Sequence, residues 1–497
     1  MTTTVPPVSS AAERERAVVA AVPTGLLVGG EWREATGGAR FPVLDPSTGS
    51  MLVEVANAAP EDGLAALDAA ATTQSSWAQT APRERGEILR RAFDLMHERL
   101  DDLALLMTLE MGKPLAESRA EIVYAAEFFR WFSEESVRIR GDYRVAPAGD
   151  KRILVMRQPV GPSLFITPWN FPMAMGTRKI GPAVAAGCTM VVKPAAETPL
   201  SMLALAQVMA EAGLPDGVLN VVTTRTSGAV MGPLIADPRA RKLSFTGSTG
   251  VGRRLVEQSA AQLLRVSMEL GGNAPFVVFD DADLDAAVEG ALQAKMRNAG
   301  EACTAANRFF VQRGVADEFS ERLAERMGGL MVGRGTEEGV QVGPVITEKA
   351  RAEILELVND ATDHGAQVLT GGQAIDGPGY FVAPTVLANV SNECRVCSEE
   401  IFGPVAPVFR FDTEQEALAL ANDTEYGLIG YVFTQDLNRA LRVSEGLQTG
   451  MVGLNAGVIS NPAAPFGGVK QSGFGREGGH EGIEEYLETK YVGIGGL

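Results

Sequence analysis

Residues 242–252 read KLSFTGSTGVG, a short apolar strand followed by a glycine-rich turn that opens a helix. Lys242 to Phe245 has the length and composition of a buried strand, and glycines follow at positions 247, 250 and 252. A strand that turns directly into a helix is the unit of a parallel sheet covered by helices. The free N–H groups at such a helix start favour a diphosphate, although a tight connection without a ligand explains the same glycines.

The alternation of strands and helices continues on both sides of this turn. Predicted strands cover Val160 to Thr167, Thr189 to Lys193, Val218 to Val222, Phe276 to Phe279 and Arg308 to Val311. Predicted helices cover Met173 to Ala186, Pro199 to Ala212, Ala229 to Ala236, Leu284 to Arg297 and Lys349 to His364. This rhythm predicts two α/β units, one on each side of Glu269, and the helical stretch from Pro60 to Ser136 is expected to cover one face of the first sheet.

Composition excludes several classes of protein. The 497 residues carry a formal charge of −18, and 45% of them are hydrophobic, which predicts a multi-domain globular protein that binds neither nucleic acid nor an anionic membrane. Four cysteines are too few for a disulfide framework and favour the cytoplasm. Met1 to Pro23 lacks the pattern of a signal peptide, and no apolar run reaches the roughly 18 residues of a membrane span.

Three positions are candidates for chemistry on residue type alone. Cys303 lies among small residues in a loop between a predicted helix and strand, which suits a thiolate nucleophile as well as a buried structural thiol. With only three histidines in the chain, a carboxylate is the expected base, and Glu269 lies at a predicted strand end. Lys193 also ends a strand, where it could reach a ribose or phosphate or remain solvated.

Cys394 and Cys397 have a C-x-x-C spacing without a second Cys or His pair in the nearby sequence, so no metal site is predicted.

Seven motifs together make the chain resemble the aldehyde dehydrogenase superfamily from about residue 25 to the C-terminus. The tail motifs, from Lys470 to Glu477 and from Glu485 to Tyr491, are most similar to the succinate-semialdehyde dehydrogenase branch. The seven motifs occur in the order and spacing of that family and are Thr167-Pro-Trp-Asn-Phe-Pro172, Lys193-Pro-Ala, Phe245-Thr-Gly-Ser-Thr249, Met268-Glu-Leu-Gly-Gly272, the Cys303 loop, Glu399-Glu-Ile-Phe-Gly-Pro404 and Pro465-Phe-Gly-Gly-Val-Lys470.

The resemblance implies an aldehyde-dehydrogenase-like α/β fold with a parallel-sheet nucleotide-binding domain, an α/β catalytic domain and a small β oligomerisation arm. The nucleotide-binding domain is expected at residues 1–140 and 158–269, the catalytic domain at 270–476, and the arm at 141–157 and 477–497. In the arm, Gly141 to Met156 alternates like a two-stranded ribbon that could cross to a partner subunit together with the tail. A homodimer or homotetramer is therefore expected.

The resemblance also implies a mechanism. The Cys303 thiolate would attack an aldehyde carbonyl, and the Asn170 amide together with the Cys303 backbone N–H would stabilise the oxyanion. Hydride would then pass to a nicotinamide, and Glu269 would activate the water that hydrolyses the thioester. Because the acyl-CoA-forming members of the superfamily lack this base, hydrolytic release is favoured.

For the cofactor, the resemblance implies NADP or NAD. Many NAD-preferring relatives carry Glu at the position of Ala196, so the missing carboxylate favours NADP, although Glu197 could restore selectivity for NAD. The implied cofactor-binding residues are Thr167, Trp169, Asn170, Lys193, Ala196, Gly247, Ser248, Leu270, Glu400 and Phe402.

For the substrate, the branch pattern places Arg178, Arg297 and Ser460 around a distal carboxylate, unless the arginines pair with acidic neighbours instead. The expected reaction is the oxidation of succinate semialdehyde through a thiohemiacetal and a thioester. Glutarate semialdehyde or a broader range of aldehydes is the alternative, and a cofactor-independent thiol esterase or an inactive structural protein is the alternative of a different class.

Three departures from the branch pattern qualify these expectations. Glu301 replaces a common Gln and is expected to raise the pKa of Cys303. Ala305 removes the second cysteine of the loop disulfide that some relatives form. Ala456 replaces a larger residue and is expected to widen the pocket toward glutarate semialdehyde.

Overall fold

A computed structural model describes residues 11–495 of the chain. Its strands are β1 (Leu26–Val28), β2 (Glu31–Arg33), β3 (Arg40–Asp45), β4 (Ser50–Ala56), β5 (Asp142–Val145), β6 (Lys151–Pro159), β7 (Ser163–Ile166), β8 (Met190–Lys193), β9 (Leu219–Val221), β10 (Lys242–Thr246), β11 (Arg265–Glu269), β12 (Ala274–Val278), β13 (Ala306–Gln312), β14 (Gln367–Thr370), β15 (Thr385–Ala388), β16 (Val405–Phe411), β17 (Ile429–Phe433), β18 (Met451–Leu454), β19 (Gly473–Phe474) and β20 (Leu487–Gly495).

The α-helices connect these strands. They are α1 (Ala11–Ala20), α2 (Pro60–Gln79), α3 (Pro82–Glu98), α4 (Leu100–Met111), α5 (Leu115–Glu135), α6 (Ala174–Ala186), α7 (Pro199–Glu211), α8 (Ser227–Ala236), α9 (Thr249–Ser259), α10 (Leu284–Met296), α11 (Ala316–Gly328), α12 (Glu348–Asp363), α13 (Glu414–Asn422), α14 (Leu437–Gly446) and α15 (Glu481–Glu484).

The first sheet has the order β19-β11-β10-β7-β8-β9-β1-β2, and its five central strands, β11 to β9 in this order, are parallel. The predicted strand, turn and helix at residues 242–252 are confirmed as β10 and α9. Strand order reverses between β7 and β10, so the chain leaves these two neighbours in opposite directions. A crevice at such a switch point is the usual nucleotide site of open α/β sheets.

The helices between residues 60 and 136 form two layers rather than one. Helix α2 packs directly on β8 and β9, whereas α3, α4 and α5 pack against α6 and α7. The expectation that this whole stretch covers the first sheet is therefore wrong for α3 to α5. An apolar helix face specifies burial, but it does not specify whether the neighbour is a strand or another helix.

The second sheet has the order β14-β15-β16-β13-β12-β17-β18 and is parallel except for β14. Side chains alternate across it: Phe276 and Phe309 face a core with α10 and α11, while Val277 and Phe310 face a core with α12 to α14. Burial on both faces explains why these strands are continuously apolar in sequence.

The expected ribbon and tail form a small separate sheet. Strand β6 pairs antiparallel with β5 on one side and with β20 on the other, from Lys151 opposite Gly495 to Pro159 opposite Leu487. The crossing to a partner subunit stays a prediction, as do the domain boundaries. Strand β19 lies in the segment expected in the catalytic domain, but it pairs with β11 of the first sheet.

Two further expectations concern the chain ends and membranes. The expectation for Met1 to Pro23 lies partly outside the described residues, as do the outermost residues of the predicted first domain and arm. Between residues 11 and 495, no helix combines the length and the apolar character that a membrane crossing requires.

Candidate active site

A cavity of about 230 Å³ opens at the carboxyl edge of the first sheet, beside the switch point between β7 and β10. Both α/β units contribute to its wall. Eight of the residues expected at the site line it together, namely Trp169, Asn170, Gly247, Ser248, Leu270, Cys303, Glu400 and Phe402. Pro168, Met175, Thr246 and Gly271 complete the lining. The parallel sheet thus places strand-end residues that are far apart in sequence at one opening.

The loop before β13 holds Cys303 in a fixed position. Asn298 and Ala299 have φ angles of 55° and 52°, a left-handed conformation that costs free energy for residues with side chains. The Asn298 side chain stabilises the turn by donating to the carbonyl oxygens of Asn170 and Glu301, both at 3.0 Å. A Cβ atom on Gly272 would lie only 2.5 Å from the carbonyl oxygen of Cys303, so this close approach requires glycine.

The Cys303 thiol is neutral in this environment. Burial raises its pKa to about 12, and the carboxylates of Glu400 and Glu269 act in the same direction, while Arg178 and Arg297 oppose them. The expectation that Glu301 raises this pKa is not supported: the Glu301 carboxyl accepts the Ile346 N–H at 3.0 Å, and burial raises its own pKa well above the usual range.

Asn170 is the candidate oxyanion donor, and its neighbours orient it from both sides. Its Oδ1 accepts the Phe171 N–H at 3.1 Å, so Nδ2 is left to donate, and one donation goes to the Glu301 carbonyl at 3.1 Å. The Asn170 backbone carbonyl accepts from the Lys113 ammonium at 2.7 Å, and Lys113 pairs with Glu121 at 2.6 Å. Lys113 and Glu121 are fully buried.

Sequence reasoning missed Lys113, Glu121 and Asn298. Each of these residues also has a partner that is distant in the chain, namely Asn170 for Lys113 and Asn298 and the Met173 N–H for Glu121. Each lies in a segment whose pattern indicates only a helix or a loop. Only the Gly112-Lys113-Pro114 break after α4 gave a local signal that this lysine is unusual.

Glu269 is the candidate base at the end of β11. Its side chain is buried, and within the described part of the chain its Oε2 has no hydrogen-bond partner. Burial raises its pKa well above the usual range, and the nearby Glu477 carboxylate adds to this effect. Glu477 accepts from Lys179 at 2.5 Å and from Arg178 at 3.4 Å. Sequence reasoning did not assign Glu477 or Lys179 to the site.

The residues of the cofactor side fit a dinucleotide. Helix α9 begins at the cavity with Ser248 at its N-cap, where N–H groups favour a phosphate, and the buried Thr246 Oγ1 in the wall has no partner among the described residues. The Trp169 and Phe402 rings meet edge to face at 5.5 Å. The Glu400 Oε1 accepts the Gly272 N–H at 3.1 Å.

Three expected cofactor residues lie at the neighbouring strand ends rather than in the cavity wall. The Thr167 N–H donates to the carbonyl oxygen of Lys193 at 3.2 Å, which ties the end of β7 to the end of β8. Burial lowers the pKa of Lys193 to about 8, against the effect of Glu197. Ala196 is partly buried just beyond it.

The expected carboxylate-binding residues separate into two environments. Arg297 and Ser460 line a second, small pocket of about 10 Å³ with Thr304, the residue after the candidate nucleophile. The Arg297 guanidinium lies over the Phe171 ring at 4.6 Å, and within residues 11–495 it has no ion pair. Arg178 is only 2% exposed and bonds to the Tyr124 hydroxyl at 2.6 Å and to Glu477. Pairing with an acidic neighbour, the alternative for both arginines, is therefore observed for Arg178.

Comparisons with known proteins agree with this geometry. The model of the "Aldehyde dehydrogenase family" matches residues 32–492. A succinate-semialdehyde dehydrogenase of Paenarthrobacter nicotinovorans is 63% identical over 444 residues, which cover 89% of this chain and 99% of that protein. A glutarate-semialdehyde dehydrogenase of Pseudomonas putida is 52% identical, covering 94% of this chain and 97% of that one. The crystal structure of an NADP-dependent enzyme of E. coli superposes with a TM-score of 0.94 at 53% identity, covering 95% of this chain and 98% of that one.

Proposed function

The chain belongs to the aldehyde dehydrogenase family, and from this membership we propose that it oxidises succinate semialdehyde to succinate. It is an NAD(P)-dependent aldehyde dehydrogenase. The observation that carries the proposal is that Cys303 and Asn170 share one cavity with the start of α9, while Arg297 and Ser460 line a pocket beside Thr304. This arrangement supports an aldehyde that carries a second, anionic end.

In the proposed reaction, the Cys303 thiol releases its proton to solvent, and the sulfur bonds to the aldehyde carbon. The resulting oxyanion accepts hydrogen bonds from Asn170 Nδ2 and from the Cys303 backbone N–H. A nicotinamide cofactor, when bound in the cavity, supplies the oxidising power by accepting the hydride from this carbon. Glu269 then takes a proton from the water that attacks the thioester, and succinate leaves as the Cys303 sulfur is released.

The residues of the strand ends support NADP as the cofactor, with NAD as the alternative. Ala196 occupies the position at which many NAD-preferring relatives carry Glu and brings no carboxylate there, and the superposed E. coli enzyme is named as NADP-dependent. Glu197 is exposed and close enough to Lys193 to raise its pKa, so it remains the residue that could favour NAD.

The second pocket supports a substrate with a distal carboxylate. Arg297 is the cation available for it, because the Arg178 guanidinium is already engaged by Glu477. Glutarate semialdehyde is one methylene longer, and such a difference changes binding by only about 1–3 kcal/mol. The higher identity to the succinate-semialdehyde dehydrogenase, 63% against 52%, favours succinate semialdehyde.

Two further proposals concern the setting of the enzyme. We propose the cytoplasm as its location, because all four cysteines are free thiols, and a homodimer or homotetramer as its state. The exposed small sheet of β5, β6 and β20 supports the second proposal.

The test is the initial rate of reduced-cofactor formation with succinate semialdehyde, glutarate semialdehyde and propanal, each with NAD and with NADP. The wild type is compared with Cys303→Ala and with Cys397→Ala, a matched removal of a cysteine outside the cavity. We expect reduction that requires Cys303, tolerates Cys397→Ala and is fastest with succinate semialdehyde and NADP. Ester turnover without aldehyde oxidation would instead favour the thiol esterase, and equal rates with propanal would reject the carboxylate pocket.

A further inference from the structure

Asp360, His364 and Cys394 bring three different metal-binding groups together outside the active site. Asp360 lies in α12, His364 is its C-cap one turn later, and Cys394 lies in the loop between β15 and β16. One ligand atom of each lies within 4.8 Å of the other two. We call these three residues the α12 cluster. The sequence predicted no metal near Cys394 because the histidine is remote in the chain and only the fold brings it close.

Hydrogen bonds position the Asp360 carboxylate, the His364 ring and the loop of Cys394 before any ion arrives. Asp360 Oδ2 accepts the Arg395 N–H at 2.8 Å, which fixes the loop of Cys394 against α12. Oδ1 of the same carboxylate lies 3.8 Å from Nδ1 of His364. Nδ1 also lies 2.7 Å from the Asp360 carbonyl oxygen, which can only accept, so Nδ1 carries the proton and Nε2 keeps a free lone pair. A second hydrogen bond of this kind commonly orients a histidine that binds metal.

The cluster is closed on one side and open on the other. Cys394 is only 2% exposed, and its backbone N–H donates to the Ser391 carbonyl at 3.2 Å. His364 is exposed at the surface, so an ion could enter from solvent on that side. The neighbouring Cys397 is not one of the three grouped ligands, and its sulfur contacts Oδ1 of Asn392 at 3.7 Å.

The chemistry of the three donors selects the class of cation. Sulfur, imidazole nitrogen and one carboxylate oxygen suit a borderline or soft divalent ion, whereas Mg²⁺ and Ca²⁺ prefer sets made of oxygen alone. Three protein ligands leave a fourth tetrahedral position for water. We propose that the α12 cluster binds a zinc-class divalent cation. The Cys394 thiol releases its proton to solvent as the sulfur–metal bond forms.

Cobalt titration tests this site directly. The Cys303→Ala protein is used throughout, because the active-site thiol would also bind cobalt. We expect one Co²⁺ per chain, a thiolate-to-cobalt absorption band, and displacement of the band by Zn²⁺. Cys394→Ser should abolish the band, while Cys397→Ser, three residues away, should retain it. His364→Gln should weaken binding by roughly tenfold or more.

Several outcomes would overturn the proposal. The absence of the band, its persistence in the Cys394→Ser protein, or its loss in the Cys397→Ser protein would each reject the α12 cluster as the site. If Cys394→Ser does not fold, because that side chain is buried, the exposed His364→Gln variant decides: unchanged cobalt affinity rejects the site. Zn²⁺ should also raise the melting temperature of the Cys303→Ala protein but not that of Cys303→Ala/His364→Gln, since binding to the folded state alone stabilises it.

Discussion

Single residues decide which substrate binds. The two arginines expected at the substrate carboxylate differ in whether an acidic side chain already pairs with them. We predict that Arg297→Met raises the KM for succinate semialdehyde about 10- to 100-fold, because a charge-assisted hydrogen bond to a carboxylate contributes roughly 1.5–3 kcal/mol. Steady-state kinetics with propanal, which has no carboxylate, provide the internal control and should change little. Arg178→Met should instead slow the oxidation of both aldehydes and destabilise the fold, because it leaves the Glu477 carboxylate paired with Lys179 alone. Equal losses on both aldehydes for Arg297→Met would contradict the role of Arg297.

The neutral Cys303 thiol predicts a pH dependence. Since burial raises its pKa to about 12, the reactive thiolate is a minute fraction at neutral pH and grows about tenfold for each pH unit. In the cofactor-free enzyme, we expect the rate of iodoacetamide addition at Cys303 to rise in this way from pH 7 to pH 9 without a plateau. Peptide mass spectrometry measures the modified fraction, with glutathione as the reference thiol. A plateau of this rate below pH 8 would show that the pKa of the Cys303 thiol is far lower than about 12.

Local motifs revealed some site residues and concealed others. The places of Cys303 and Gly247 in the cavity wall were predictable, because each lies in a short motif at a strand end or in a loop of small residues. Lys113 and Glu477 were not, because their importance lies in hydrogen bonds to residues that the fold brings from elsewhere. A sequence pattern indicates burial, but it does not identify the partner of a buried charge.

At the scale of elements, strands and helices were predicted to within a few residues wherever the pattern was periodic, as at β8 and α12. The caps were less predictable. Helix α7 begins after Thr198, whose side chain makes no capping hydrogen bond. The Glu110 carboxyl of α4 supplies the cap instead, accepting the Leu200 and Ser201 N–H groups at 2.7 Å each. One helix thus caps another across the core, which no local sequence signal shows.

This cap predicts a pH-dependent stability. Burial raises the pKa of Glu110 to about 7 from an ordinary 4.5, so the folded state binds more protons than the unfolded state between these values. The contribution of this carboxyl to the free energy of unfolding is fully present below pH 4.5 and is lost as pH rises through 7. Glu110→Gln resembles the protonated acid and lacks this loss. Between pH 5 and pH 8, the free energy of unfolding of the variant should therefore rise by up to about 3 kcal/mol relative to that of the wild type.

Urea unfolding at the two pH values measures this difference. Glu87→Gln on the exposed face of α3 is the matched control and should follow the wild type at both pH values. If the wild type and Glu110→Gln differ by the same amount at pH 5 and at pH 8, the Glu110 carboxyl is not the source of the pH dependence.

At the scale of the whole molecule, the small sheet is exposed or only half-buried along most of its length in a single copy. One face of this sheet carries the apolar side chains of Tyr143, Val145, Leu154, Val492 and Ile494 together with Arg152, as the strand register shows. Tyr143 is 62% exposed and Val145 is 52% exposed, on a strand whose outer edge is unpaired in the described sheet. Such a face and edge favour pairing with a second subunit.

We therefore predict that the wild type sediments as a dimer or tetramer and that Tyr143→Lys/Val145→Lys shifts it toward the monomer, because two added charges oppose burial of this face. Leu263→Lys, at a side chain that is 90% exposed in the first α/β unit, is the control for the loss of a surface apolar group and should sediment like the wild type. Sedimentation velocity at several protein concentrations distinguishes these states. A monomeric wild type, or a double variant that remains fully assembled, would show that the β5–β6–β20 sheet does not hold the subunits together.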